Sequence, residues 1–189
     1  MFRLVEFDES LNLSDFYKEC DEKGYTNNNS QKRIWDRFKK YKKHNTWIFY
    51  RDFTPMGSVV AHSFDEYKKD SFRVLVCTCV LEKHTKYNFI GQASQFKKHQ
   101  HFTAQFYIPK MIEWCGINSN MFITTHPSET GKTKKVHNFA MRVWSNMGLV
   151  EKTEDIQYRG VNQTVWKLNA EEWLKQLKEH PIELDYLKE

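Results

Sequence analysis

The chain has 189 residues, 40% of them hydrophobic, with 14 Phe, 9 Tyr and 6 Trp. That is enough apolar mass for a packed core and excludes wholesale disorder. A net charge of +5 favours anionic partners in general, such as a cofactor phosphate, nucleic acid or an acidic protein, without choosing among them. No apolar run approaches the roughly 20 residues of a membrane span, and the N-terminal MFRLVEFDES lacks a basic-then-apolar signal pattern. A single soluble, cytoplasmic domain over residues 1–189, with no membrane partner, is therefore expected.

In chain order, FRLVEFD (2–8) alternates and predicts a strand. Ser14 is placed to cap a helix from Asp15 to about Lys23, ended by Gly24. After the polar loop TNNNS, residues 31–43 read as a helix. Ile34, Trp35, Phe38 and Tyr41 form its apolar stripe, and seven of its residues are Lys or Arg. NTWIFYRDF (45–53), SVVAHSF (58–64) and SFRVLVCTCVLE (71–82) predict an antiparallel meander, with a turn at Pro55-Met56-Gly57. Residues 83–101 are basic and His-rich, with no clear period.

TAQFYIPKMIEWCG (103–116) has helical period, interrupted by Pro109, which predicts a kink or two pieces. NMFITT (120–125) is a strand and residues 134–147 a helix. IQYRGVNQTVWKL (156–168) is a hairpin around Arg159-Gly160, and residues 170–178 are a closing helix. The order β-α-α-β-β-β-α-β-α-β-β-α, without repeats, indicates an α/β fold: a mixed, mostly antiparallel central sheet flanked by helices.

Two local patterns can be weighed on chemistry alone. HPSETGKT (126–133) sits between a strand and a helix and ends in G-K-T, as a phosphate-cradling loop does. His126 occupies the place of the first glycine, however, and Pro127 lacks an N–H that the cradle would use. A polar strand-to-helix loop turned by Gly131 is the better reading. Cys20, Cys77, Cys79 and Cys115 match neither a zinc spacing nor a disulfide framework, and His99 and His101 do not complete one, so no metal is expected.

The helix after that loop is more informative. Val136, Ala140, Val143, Trp144 and Met147 form a buried stripe, with Gly148 suited to the C′ position and Leu149 able to pack back. With the following hairpin, VHNFAMRVWSNMGLVEK resembles the C-terminal half of the GNAT N-acyltransferase superfamily, whose pattern there is N-x-x-A-x-x-x-Y-x-x-x-G-F. Ala140 and Gly148 match, and Leu149 stands for the Phe. Trp144 stands for the Tyr, and His137, next to Asn138, for the Asn. The motif covers about 30 residues, and the element order extends the likeness to nearly the whole chain.

The resemblance implies an acyl-CoA-dependent N-acyltransferase, with acetyl-CoA or another acyl-CoA as co-substrate and an unidentified amine as acceptor. It implies that Cys79, Val80 and Leu81 on the fourth strand hold the pantetheine arm. Asn88, Gly91 and Ala93 have the G-x-A form of the phosphate loop, although Asn88 replaces Gln or Arg. Lys97 and Lys98 lie better spaced before the next helix but carry no glycine; as point charges they suit phosphate. His137 and Asn138 complete the cofactor contacts. His62 and Glu82 are the candidate bases, each also readable as an ordinary structural residue. Trp144 takes the place of the usual acid, yet an indole does not ionise in the useful range. A GNAT-like binding module without catalysis, serving nucleic acid or an acidic partner through its basic surfaces, is the alternative.

Overall fold

A computed structural model of the chain describes residues 2–22, 39–77, 102–125, 141–158 and 160–179. The described elements are strand β1 (Phe2–Glu6), helix α1 (Ser14–Glu22), strands β2 (His44–Arg51), β3 (Thr54–Ser63) and β4 (Ser71–Cys77), helix α2 (Phe102–Cys115) and strand β5 (Asn120–Thr125). A helical segment α3 (141–146), strands β6 (Val150–Tyr158) and β7 (Val161–Leu168), and helix α4 (Ala170–Glu179) follow. The strands form one sheet in the order β1-β2-β3-β4-β5-β7-β6. Among the described pairs, only β4 and β5 run parallel; the rest are antiparallel. This is the mixed, mostly antiparallel α/β sheet that the sequence predicts. Among the described residues no helix is long and apolar enough to cross a membrane.

The pleat divides the sheet into two faces. One carries Trp47, Val59, Ala61, Phe72, Val74, Met121 and Ile123 against α2, α3 and α4, with Ile108, Met111, Trp144 and Trp173 buried between the layers. The other packs Ile48, Tyr50 and Val60 on Leu13 and Phe16 of the α1 region. Further along that second face Phe64, Phe122, Tyr158 and Val165 form a separate cluster.

Several boundaries differ from the sequence reading, each for a local reason. Ser14 lies inside α1 rather than capping it: the Tyr17 amide bonds to the Leu13 carbonyl, which moves the cap position to Leu13. The β2–β3 turn falls at Asp52-Phe53, with Asp52 at φ 54, a conformation that Asp tolerates better than most residues. Pro55 and Gly57 are instead inside β3, where Phe49 pairs with Gly57 and Tyr50 with Pro55. The extra residue is a bulge, one of the few places in a sheet where proline is accommodated.

Helix α2 runs unbroken through Pro109. An interior proline costs about 3 kcal/mol; the burial of Tyr107, Ile108, Met111 and Ile112 around it offsets that loss. Strand β6 begins at Val150, earlier than its alternation indicates. Its middle residues are exposed and charged, as suits an edge strand. The β6–β7 turn at Gly160 is where expected, Tyr158 pairing with Val161 and Gly160 taking φ 75.

Helix α3 ends as its sequence predicts. Gly148 adopts φ 73, its amide bonds to the Ser145 carbonyl, and the Leu149 amide bonds to the Trp144 carbonyl. This is a Schellman closure. Gln176 of α4 donates to the Met147 carbonyl at 2.8 Å, tying the two helices end to side. Asn169 caps α4 by accepting the Glu172 amide. Most of the basic helix proposed for 31–43, and all of HPSETGKT, lie outside the described residues.

Candidate functional site: the fork between β4 and β5

The parallel ladder between β4 and β5 runs from Ser71–Asn120 to Val74–Ile123 and ends there. Both strands continue, each with its outer neighbour. Leu75, Val76 and Cys77 stay paired with Val60, Val59 and Ser58 of β3. Thr124 and Thr125 stay paired with Val165 and Thr164 of β7. The sheet therefore forks at the C-terminal ends of its parallel strands, the position where α/β sheets place ligands. Where neighbours part, the backbone groups on the inner edges are released from one another. An extended ligand with amide groups matches such a slot.

Side chains fix the β5 arm on both faces. On the helix-covered face, Trp166 Nε1 donates to Thr125 Oγ1 at 3.0 Å. On the other face, Arg73 Nε donates to Thr124 Oγ1 at 2.7 Å, and Arg73 Nη2 donates to Gln163 Oε1 of β7 at 2.9 Å. Arg73 is only 8% exposed. Its guanidinium carbon lies 4.8 Å from the centre of the Tyr158 ring and 5.8 Å from that of Phe64, an aromatic setting that favours a desolvated cation. The Tyr158 hydroxyl is 3.0 Å from that of Tyr41, so the segment before β2 and the end of β6 meet above Arg73.

The β3–β4 connection braces the same face. Tyr67 stacks on Phe64, meets Phe122 edge-on, and donates to Glu154 Oε1 of β6 at 2.7 Å. Burial is the main cause that raises its pKa; the Thr153 hydrogen bond opposes the rise and Glu154 adds to it, so the phenol stays a donor.

Two of the residues singled out from sequence fall within the described structure. His62 lies opposite Arg73 across the β3–β4 ladder and is fully buried. Its Nδ1 sits 2.7 Å from the Ser63 carbonyl, which can only accept, so that nitrogen carries the proton. The ring is stacked at 3.9 Å on Tyr41. His62 thus belongs to the layer beneath Tyr41 and Tyr158. Trp144 is 2% exposed and meets Trp173 edge-to-face at 5.2 Å, on the helix-covered side. The fork does not bring these two together.

Glu82, Cys79, Val80, Leu81, Asn88, Gly91, Ala93, Lys97, Lys98, His137 and Asn138 lie outside the described residues. Of the thiols, Cys115 is buried and free, and burial pushes its pKa up to about 12, so it is no nucleophile at neutral pH. Among the described residues no cluster of His, Cys, Asp and Glu could hold a metal ion.

Sequence reasoning passed over Arg73, Thr124, Gln163, Tyr41 and Tyr158 as a group. One signal was available: Arg73 interrupts the apolar run SFRVLVC, and a charge in such a run needs a partner network. Two clefts lie at the other end of the strands, away from the fork. One, of about 570 Å³, is bordered by Ile117, Asn120 and Val150. The other, of about 350 Å³, is bordered by Glu6, His44 and Trp114. The fork is the stronger candidate because it combines the parallel strands' C-terminal ends with a buried polar network.

No family model matches the sequence, and a search of curated proteins finds no significant match. Solved structures do match. The chain is similar to aminoglycoside acetyltransferase AAC(6')-Ib in complex with coenzyme A and kanamycin, at 10% identity and a TM-score of 0.58, covering 93% of this chain and 98% of that one. It is similar to aminoglycoside N-acetyltransferase AAC(6')-Ib11 at 9% identity and a TM-score of 0.58, covering 92% and 99%. A GNAT-family structure from Desulfovibrio desulfuricans matches at 10% identity and a TM-score of 0.54, covering 90% and 99%. The chain has the GNAT, or acyl-CoA N-acyltransferase, fold.

Proposed function

We propose that this protein transfers an acyl group from acyl-CoA to an amine, with the pantetheine arm lying in the fork between β4 and β5. The observation that carries the reading is the ladder that stops at Val74–Ile123 while each strand continues with its outer neighbour. It stands in a fold shared with an acetyltransferase crystallised with coenzyme A. The net charge of +5 suits a polyanionic donor. A cytoplasmic setting fits a buried, free Cys115.

In this reading the chain's own groups have distinct tasks. Backbone groups at the end of β4, together with those of Cys79, Val80 and Leu81, grip the amides of the donor and polarise its thioester carbonyl. Asn88, Gly91 and Ala93, with Lys97 and Lys98, hold the phosphates, and His137 and Asn138 border the arm. The acceptor nitrogen attacks the thioester carbon, the C–S bond breaks, and the amine proton leaves to a base, for which Glu82 is the candidate. His62, fully buried beneath Tyr41, acts on this site through Tyr41 and Tyr158 rather than by touching the acceptor. The departing sulfur takes its proton from another group or from water, because the indole at position 144 cannot supply one.

A second reading is favoured by one observation: Trp144, at the usual acid position, is core. A chain that binds acyl-CoA without turning it over would tolerate that. Thermal unfolding with millimolar acetyl-CoA tests the shared premise, since a ligand that binds only the native state raises apparent stability. Thiol release in the presence of an amine panel then separates the two. A stabilised protein that releases no thiol is a binding module, and one that acetyl-CoA does not stabilise is neither.

A further inference from the structure

Arg73 occupies a position with no counterpart in the sequence motif. Its Nε bond to Thr124 reaches one residue past the last rung of the β4–β5 ladder, Val74–Ile123, and its Nη2 bond reaches Gln163 on the next strand. One guanidinium therefore ties β4, β5 and β7 together at the point where the sheet opens. The planar fork of arginine makes such a three-strand tie directional, which a lysine ammonium does not. The Tyr158 ring covers it. Burying a charge here is costly, and a core that needed only stability would place an aliphatic residue at this position.

We infer that Arg73 is a positioning residue that sets where the fork begins and how its β5 arm is held. This rests on the donor-binding reading for its consequence, but the geometry itself is a property of the free protein. Loss of the Arg73–Thr124 bond lets β5 shift against β4, and the slot loses its preformed width.

The experiment uses the full chain with Thr124→Val, which keeps the side-chain shape and removes the acceptor, and Thr124→Ser, which restores the hydroxyl. Amide hydrogen exchange of the free proteins is read at Leu75–Cys77 and Thr124–Thr125. A hydrogen bond to a charged group corresponds to roughly a ten-fold effect or more. T124V is expected to speed exchange at those amides by roughly that factor while the β2–β3 amides stay unchanged, and T124S is expected to restore it. Unchanged exchange at the fork, or a uniform rise across the sheet, overturns the inference. The acetyl-CoA dissociation constant is measured on the same proteins. A rise of roughly ten-fold in T124V, reversed in T124S, supports the positioning role; equal affinity in all three overturns it. If the wild-type chain takes up no acetyl-CoA, the donor-binding reading falls and the exchange data still decide the role of Arg73.

Discussion

The Leu149 amide donates to the Trp144 carbonyl at 2.8 Å, closing α3 so that Leu149 packs back into the same core as the Trp144 ring. Gly148 between them makes this possible with φ 73. Among the described residues, a β-carbon placed there would meet only Glu172 Cγ at 3.9 Å, an ordinary contact. Gly148→Ala should therefore cost about 1–2 kcal/mol through backbone strain rather than collision. Urea unfolding of the variant measures it, and a loss far larger would point to a clash the geometry does not contain.

Trp144 is held by packing on Trp173 and the neighbouring core. Trp144→Phe should lower stability by about 1–3 kcal/mol and leave any acyl-transfer kcat within a few-fold. Stopped turnover in a variant that is still folded would mean that the indole takes part in the chemistry.

His62 gives a sharper contrast. With Nδ1–H on the Ser63 carbonyl and the ring under Tyr41, it is placed to seat that tyrosine. His62→Gln should reduce the thermal midpoint yet leave the shape of the kcat/KM pH profile unchanged. Disappearance of the basic-group limb would instead make His62 the base.

Asp155 accepts Thr164 Oγ1 at 2.6 Å and Lys152 Nζ at 3.0 Å. These bonds, that from Thr164 foremost, lower its pKa below the usual 3.8. The folded state thus prefers the carboxylate more than the unfolded state does. Its contribution to stability is complete above 3.8 and is lost as the pH falls through the folded value. Thr164→Val should be less stable than wild type at neutral pH, with the gap closing in strong acid. Denaturant unfolding at both conditions gives the comparison, and a gap independent of pH would rule out the linkage.

The legible parts of this fold are those whose pattern is local. NMFITT is β5 to the residue, and Gly148 and Gly160 mark the α3 end and the β6–β7 turn because each needs positive φ. The illegible parts depend on tertiary context. Pro109 survives in α2 because burial around it offsets the lost hydrogen bond, and Pro55 survives in β3 because it sits beside a bulge, next to the register shift opposite Phe49 and Tyr50. The first half of β6 is not legible because an exposed edge strand carries no alternation. For the site, the motif around Trp144 pointed to the fold but not to the fork. The fork is defined by Arg73, Thr124 and Gln163, which lie far apart in sequence and share no spacing rule.

The most direct test of acyl-donor binding at the fork is amide hydrogen exchange of the wild-type protein with and without acetyl-CoA. The account predicts that acetyl-CoA slows exchange at Leu75–Cys77 and Thr124–Thr125, with no matching change in the β1–β2 pairing. Exchange unaltered at both arms of the fork under saturating acetyl-CoA would contradict it.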